Sequence, residues 1–279
     1  MSNEMDFDPE AVPIRPAATV MIIDDRPELE VLMIERNARM AFAPGMWVFP
    51  GGAVDPGEAD EFEPHCDGLD DVRASGILGV ETGGLAYWVA AIRENFEEAG
   101  LLLGRRDDGG ATDPDTLRAP RDRLNTRAAG FLEIARELQL MLDTRRVHYI
   151  ARWITPLGSP RRFDARFFLS RPPAGQDVAL DATETVGWMW VRPDEALARF
   201  DRGEMVMMTP TVRMLRCLAM FNSADDAIAS AAAELDDHRA RVRYDDGDTY
   251  TIVLPGDDGY DTADPDRENG WVRWRPLTG

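Results

Sequence analysis

Lysine is missing altogether: all 31 basic residues of this 279-residue chain are arginine. Schiff-base chemistry and a lysine general base are thereby excluded. Cysteine is nearly missing too. Cys66 and Cys217 stand far apart, which leaves neither a disulfide framework nor the ligand spacing of a zinc site. Positive charge is in deficit, with 31 basic against 51 acidic residues and a net charge of -20. Nucleic acid and anionic membranes both require a concentrated positive face, so neither is expected as a partner. Long apolar runs are absent, and the opening MSNEMDFDPE has no signal-peptide core, so a cytoplasmic protein is expected. What is present is ample apolar material, 44% of residues, too much for a disordered chain. The length suits one enlarged domain, or one domain with a helical appendage.

The most informative stretch is Arg93 to Leu103, RENFEEAGLLL. With roughly 100° of rotation per residue, Glu94, Glu97 and Glu98 at i, i+3 and i+4 share one helix face. Leu85, Trp88, Val89, Ile92, Phe96 and Ala99 form an apolar stripe on the opposite face. Gly100 suits the position that ends a helix, which puts the three glutamates in its last two turns. There the macrodipole is negative and the like charges repel, each effect costing on the order of a few tenths of a kcal/mol. A divalent cation reverses the sign of both penalties. A solvated acidic face is the alternative reading of the helix taken alone.

Upstream stands FPGGAVDPGE, Phe49 to Glu58, after a short apolar stretch, Met46 to Phe49, that reads as a strand. Gly51 and Gly52 there allow a close approach of backbone to another group. Together the two segments resemble the signature of the Nudix hydrolases: Gly52 and Glu58 meet the first spacing, and Arg93, Glu94, Glu97, Glu98, Gly100 and Leu101 meet the second half. Two positions depart from the pattern. Residues 59 to 92 are 34 where the family has seven, so 27 are inserted and the distance from Glu58 to the helix is not set by a short loop. Asn95 occupies an apolar position, a change expected to cost little. The insertion is readable either as a lid or binding loop or as a surface excursion. RNARMAFAPGMWVFPGG before it, AAIRENFEEAGLLL after it and RRFDARFFLSRPP at Arg161 to Pro173 resemble the long-insert branch that includes coenzyme A diphosphatases. The resemblance runs from about residue 17 to residue 200.

Strands are expected at Ala17 to Ile23, Val31 to Ile34, Val147 to Thr155, Phe163 to Leu169 and Gly187 to Val191, with further strands at Tyr250 to Leu254 and Trp271 to Trp274. Helices are expected from about Asp70 to Leu78, within residues 117 to 141, from Pro193 to about Phe200, and as one long region from Thr209 to about Leu235. The chain reads as an α/β (α+β) protein, which the resemblance specifies as a Nudix-type α/β/α sandwich with a mixed sheet. Residues 1–205 form the Nudix domain, with an insertion at about 59–84, and residues 206–279 form a helical and short-strand extension packed on it.

The resemblance implies hydrolysis of a diphosphate linkage. Helix carboxylates suit a hard cation such as magnesium, with manganese as an alternative, because such ions take oxygen ligands while bridging to phosphates. Glu94, Glu97 and Glu98 are the expected metal ligands or water-positioning groups, and Arg93 braces Glu97 by an i, i+4 pair. The base differs among members of the family and is left open. Glu184 is a candidate ligand or base from a later loop, or else an exposed loop carboxylate. Arg36, Arg39, Gly51, Gly52 and Arg161, with Arg162 beside it, are candidates for holding a substrate phosphate. His148 is expected to be structural. The expected substrate is coenzyme A or acyl-CoA, with ADP-ribose or a nucleoside-diphosphate sugar as the alternative, and a non-catalytic nucleotide sensor as a third possibility. The C-terminal extension either caps the core or mediates a homodimer.

Overall fold

The computed structural model describes residues 8–39, 43–110, 112–180, 185–244, 250–264 and 270–277. In chain order the elements are β1 (Ile14–Asp25), β2 (Leu29–Arg36), β3 (Trp47–Val48), β4 (Gly51–Ala53), α1 (Glu58–Phe62), α2 (Asp71–Leu78), α3 (Leu85–Ala99), β5 (Gly104–Arg106), α4 (Pro114–Asn125), α5 (Phe131–Glu137), β6 (Leu140–Leu142), β7 (His148–Ile154), β8 (Arg162–Ser170), β9 (Thr185–Val191), α6 (Pro193–Asp201), α7 (Thr209–Leu218), α8 (Ala224–Ala232), β10 (His238–Arg239), β11 (Arg241–Tyr244), β12 (Tyr250–Val253) and β13 (Gly270–Val272).

The run ATVMII in β1 is apolar on both faces, the composition of a strand covered on both sides. β1 accordingly runs through the middle of a mixed sheet. One edge pairs in parallel with β8, from Ile14↔Arg162 to Ile22↔Ser170. The other edge pairs antiparallel with β4 at Ala17 to Thr19 and with β2 from Ile23 onward. β2 then carries β3 and β9, and on the far side β7 pairs with β8. Two cores flank this sheet. One packs β1 and β8 against α3, with α1, α2, α4 and α5 around it; the other packs the opposite face against α6, α7 and α8. The result is an α/β/α sandwich.

Three expectations change. The region from Thr209 to Leu235 is two helices, because the chain turns at Met220 to Ser223 and the Ser223 side chain caps α8 by accepting from the Asp226 N–H (3.1 Å). The pattern over residues 117 to 141 likewise divides into α4 and α5 and ends as β6, which pairs with β5. The insertion is more than a surface excursion: Phe62, Ala74 and Leu78 are buried in the core around α3. At the C-terminus β13 pairs antiparallel with β7 and carries β10 on its outer edge. Trp274 stacks on Phe221 with ring centroids 4.9 Å apart and donates Nε1–H to the Ala227 carbonyl (2.9 Å). Among the described residues no helix is long and apolar enough to cross a membrane.

Candidate active site

Helix α3 begins and ends for identifiable reasons. At its start the N–H groups of Gly83 and Leu85 donate to the Asp71 carboxylate (2.9 Å each), and Gly84 N–H donates to Ser75 Oγ (2.9 Å). Both acceptors come from α2, so the insertion supplies the carboxylate that the positive end of the helix favours. At the other end Gly100 adopts the left-handed conformation, φ +75°. Asn95 is fully buried and its Nδ2 donates to the Leu101 carbonyl (2.6 Å). The polar residue in an apolar position is thus a fastener for the chain leaving the helix.

The glutamates occupy the last two turns. Glu98 is 4% exposed and accepts from the Gly51 N–H (2.9 Å) and from Arg36 Nη1 (3.3 Å). Glu94 accepts from Arg93 Nη1 (2.5 Å), and its carboxylate lies directly against Gly52, where an added Cβ would overlap it. Glu97 is the most exposed of the three and also accepts from Arg93 Nη1 (3.3 Å). Arg93 also reaches beyond its own helix. Its Nε donates to Glu58 (2.7 Å) and its Nη2 to the Ala53 carbonyl (2.8 Å). Burial alone would lower the Arg93 pKa, but Glu94 and Glu58 together push it up, so the guanidinium stays charged. Glu58 is 9% exposed, and burial raises its carboxyl pKa even though Arg93 pulls the other way.

Glu58 therefore meets the helix despite the 27 inserted residues. It sits at the first position of α1, before the insertion departs, and β4 holds that point in the sheet through Ala17↔Ala53. Sequence reasoning missed Arg121 and Asn125. From α4, Arg121 donates Nε and Nη2 to the Glu97 carbonyl (3.2 and 2.8 Å) and Nη2 to the Glu98 carbonyl (3.3 Å), and Asn125 Nδ2 donates to the Glu97 carbonyl (3.3 Å). A cation on the last carbonyls offsets the macrodipole at the end where the glutamates stand. Arg121 shares the buried face of α4 with Leu117, Pro120 and Leu124, so the available signal was a charge standing on an apolar stripe at helical spacing. Four carboxylates, of Glu58, Glu94, Glu97 and Glu98, thus face two guanidiniums, of Arg36 and Arg93, while Arg121 binds the carbonyls at the end of their helix.

Other candidates stand apart from this group. Arg39 is exposed on the turn after β2, its N–H donating to Asn37 Oδ1 (3.0 Å). Arg161 is exposed before β8; Arg162 pairs with Ile14, four positions from the Ala18 that opposes Gly52, or roughly 13 Å along the strand. Glu184 lies outside the described residues, and Thr185 after it pairs with Arg36. His148 begins β7, where burial lowers its pKa, in keeping with a structural residue.

Among the described residues no three acidic, histidine or cysteine side chains converge at metal-binding spacing, because the glutamates are turned onto Arg93 and Arg36. The donor set nevertheless suits a hard divalent cation: three carboxylates lie within one helical turn, and the missing Cβ of Gly52 leaves the room that Glu94 uses.

A family model described as the NUDT19 Nudix domain matches residues 79–218. The chain is 30% identical to the acyl-coenzyme A diphosphatase NUDT19 of Gallus gallus over 86% of its own length and 74% of that protein. It is 30% identical to the Homo sapiens protein of the same description, over 70% of its own length and 62% of the relative's. A crystal structure of a NUDIX hydrolase from Alicyclobacillus acidocaldarius superposes with a TM-score of 0.63 at 30% identity, covering 78% of this chain and 97% of that one. Motif, fold and relatives agree: the chain belongs to the Nudix hydrolase family, enzymes that use divalent metals to hydrolyse phosphoric anhydride bonds.

Proposed function

We propose that this enzyme cleaves the diphosphate linkage of coenzyme A or an acyl-CoA with magnesium, giving 4′-phosphopantetheine, acylated or free, and adenosine 3′,5′-bisphosphate. The observation that carries the proposal is the junction at Glu98, where a buried carboxylate is held by the Gly51 N–H and by Arg36. It joins an oxygen ligand, an N–H from the glycine pair and a cation suited to bidentate phosphate contact. The substrate class is supported by the acyl-coenzyme A diphosphatases that the chain resembles.

Glu94, Glu97 and Glu98 would hold the metal, magnesium in preference to manganese. When bound, it neutralises phosphoryl charge and lowers the pKa of coordinated water. The chain's own residues supply position. Arg93, tied to Glu58 and the Ala53 carbonyl, fixes Glu94 and Glu97 relative to β4. Arg36 draws a substrate phosphate toward Glu98. Water adds to one phosphorus, the bridging P–O bond breaks, and a proton passes to a helix glutamate or to Glu184.

Gly52→Ala tests the cradle. The new Cβ collides with the Glu94 carboxylate, so turnover falls about 10²-fold, the usual effect of displacing a reacting group by about an ångström. Circular-dichroism melting should move little, because Glu94 can swing away. The substrate is tested by offering coenzyme A, an acyl-CoA and ADP-ribose with magnesium and identifying the products. Coenzyme A or its thioester is expected to be hydrolysed fastest; a rate for ADP-ribose far above both would overturn the substrate assignment.

A further inference from the structure

Beside Arg36 the sheet breaks register. β2 and β9 pair regularly from Val31↔Val191 to Glu35↔Gly187, but Arg36 opposes Thr185, so Val186 is a bulged residue. Such bulges re-aim side chains. Val186 is turned out to 56% exposure, and Trp188, paired with Ile34, is 44% exposed. Ile34 and Arg36 lie two apart on one strand, so Trp188 projects from the same face as the Arg36 side chain, diagonally across at about 7–8 Å. From the junction at Glu98 the guanidinium of Arg36 comes first, with Val186 next to its partner Thr185 on β9 and Trp188 two residues further along that strand.

In the opposite direction the way is closed. Ala90 and Ala91, one turn before Glu94 on its face, and Ala18 beneath are fully buried, so α3 and the sheet are in contact there. A substrate bound at the glutamates therefore extends toward β9.

Resting on the coenzyme A reading above, we propose that Val186 and Trp188 form the subsite for the pantoyl arm of the substrate. In that arm a quaternary carbon bearing two methyl groups lies one methylene from the diphosphate, and a planar amide follows. The order anion, branched aliphatic group, planar amide matches Arg36, Val186, Trp188. The nucleotide half would instead set a hydroxylated ribose against Val186, and the acyl group lies a whole pantetheine length away. Contact with the dimethyl carbon buries apolar surface on both sides, and the indole face covers the amide. Selectivity for pantetheine diphosphates over nucleotide sugars follows.

The test is inhibition of coenzyme A hydrolysis by the two products separately. Trp188→Ala should raise the inhibition constant of 4′-phosphopantetheine about tenfold, as expected for the loss of one apolar contact face, and change that of adenosine 3′,5′-bisphosphate less than about twofold. Val186→Asn, on the exposed bulge, should act in the same direction and serves if Trp188→Ala folds poorly by thermal melting. A rise confined to the bisphosphate would assign the wall to adenine and overturn the inference. Equal constants in all three proteins, or a wild-type enzyme blind to phosphopantetheine, would overturn it as well, with the coenzyme A reading intact. Wild-type protein that leaves coenzyme A whole would instead remove the reading on which the inference rests.

Discussion

Glu98→Gln should lower turnover of coenzyme A by about 10³-fold, within the range seen when a charge-stabilising group or a general base is removed. The substitution is nearly isosteric. Its amide oxygen can still accept from the Gly51 N–H, so the junction with β4 keeps its shape while losing its negative charge. Arg36 loses the anion that holds it at 3.3 Å, and a hard cation loses a donor. Stability should fall along with activity. Glu98 is 4% exposed and its partner Arg36 is also largely buried, so neutralising the carboxylate leaves a guanidinium without its counter-ion. That cost outweighs the gain, on the order of a few tenths of a kcal/mol, from relieving repulsion and the dipole penalty at the end of α3. The melting temperature is therefore expected to drop. Steady-state kinetics with magnesium, paired with a thermal melt, checks both; a variant keeping more than about a tenth of wild-type turnover would remove Glu98 from the chemistry.

Arg93→Met should be the most destabilising single change in the site, on the order of 3–5 kcal/mol, because it leaves buried carboxylates without their shared cation. Glu58 and Glu94 are both mostly shielded from water, and Arg93 also bonds the Ala53 carbonyl that ties α3 to β4. The defect has a pH signature. Burial already raises the Glu58 pKa, and without Arg93 it rises further. A carboxyl whose folded pKa is raised contributes stability that is present below its unfolded pKa and lost as pH rises through the folded value. The gap between variant and wild type should accordingly widen from pH 5 to pH 8 in urea unfolding. A gap that narrows over that range would show that Arg93 is not the partner that keeps Glu58 charged. Arg93→Lys should restore part of the stability and little of the geometry, since one ammonium cannot serve Glu58, Glu94 and the Ala53 carbonyl together.

Helix α3 was legible to the residue, because the apolar stripe, the glutamates and Gly100 each report local geometry. The glycine pair was legible as a close approach, and Gly52 meets Glu94 there. What escaped was non-local. Glu58 returns to the helix through its place at the head of α1 and the pairing of β4 with β1, neither of which is encoded by the spacing to Arg93. Asn95 looked like a tolerated blemish, yet its amide binds a carbonyl beyond the helix end. The compensation for glutamates at an unfavourable helix end comes from Arg121, 24 residues after Glu97 in the chain. The long region after Thr209 kept its helical pattern through Met220 and Phe221, whose apolar side chains mask the turn that Ser223 closes. The insertion read as a lid or binding loop or as a surface excursion, while in the fold Asp71 caps α3 and Phe62 fills the core.

The central claim, that these carboxylates serve the addition of water to a diphosphate, is tested most directly by hydrolysis of coenzyme A with magnesium in ¹⁸O-water, with products resolved by mass spectrometry. The account predicts 4′-phosphopantetheine and adenosine 3′,5′-bisphosphate, one ¹⁸O in the newly formed phosphate monoester of one of them, and no products after chelation of the metal. Intact coenzyme A, or products without ¹⁸O, would contradict it.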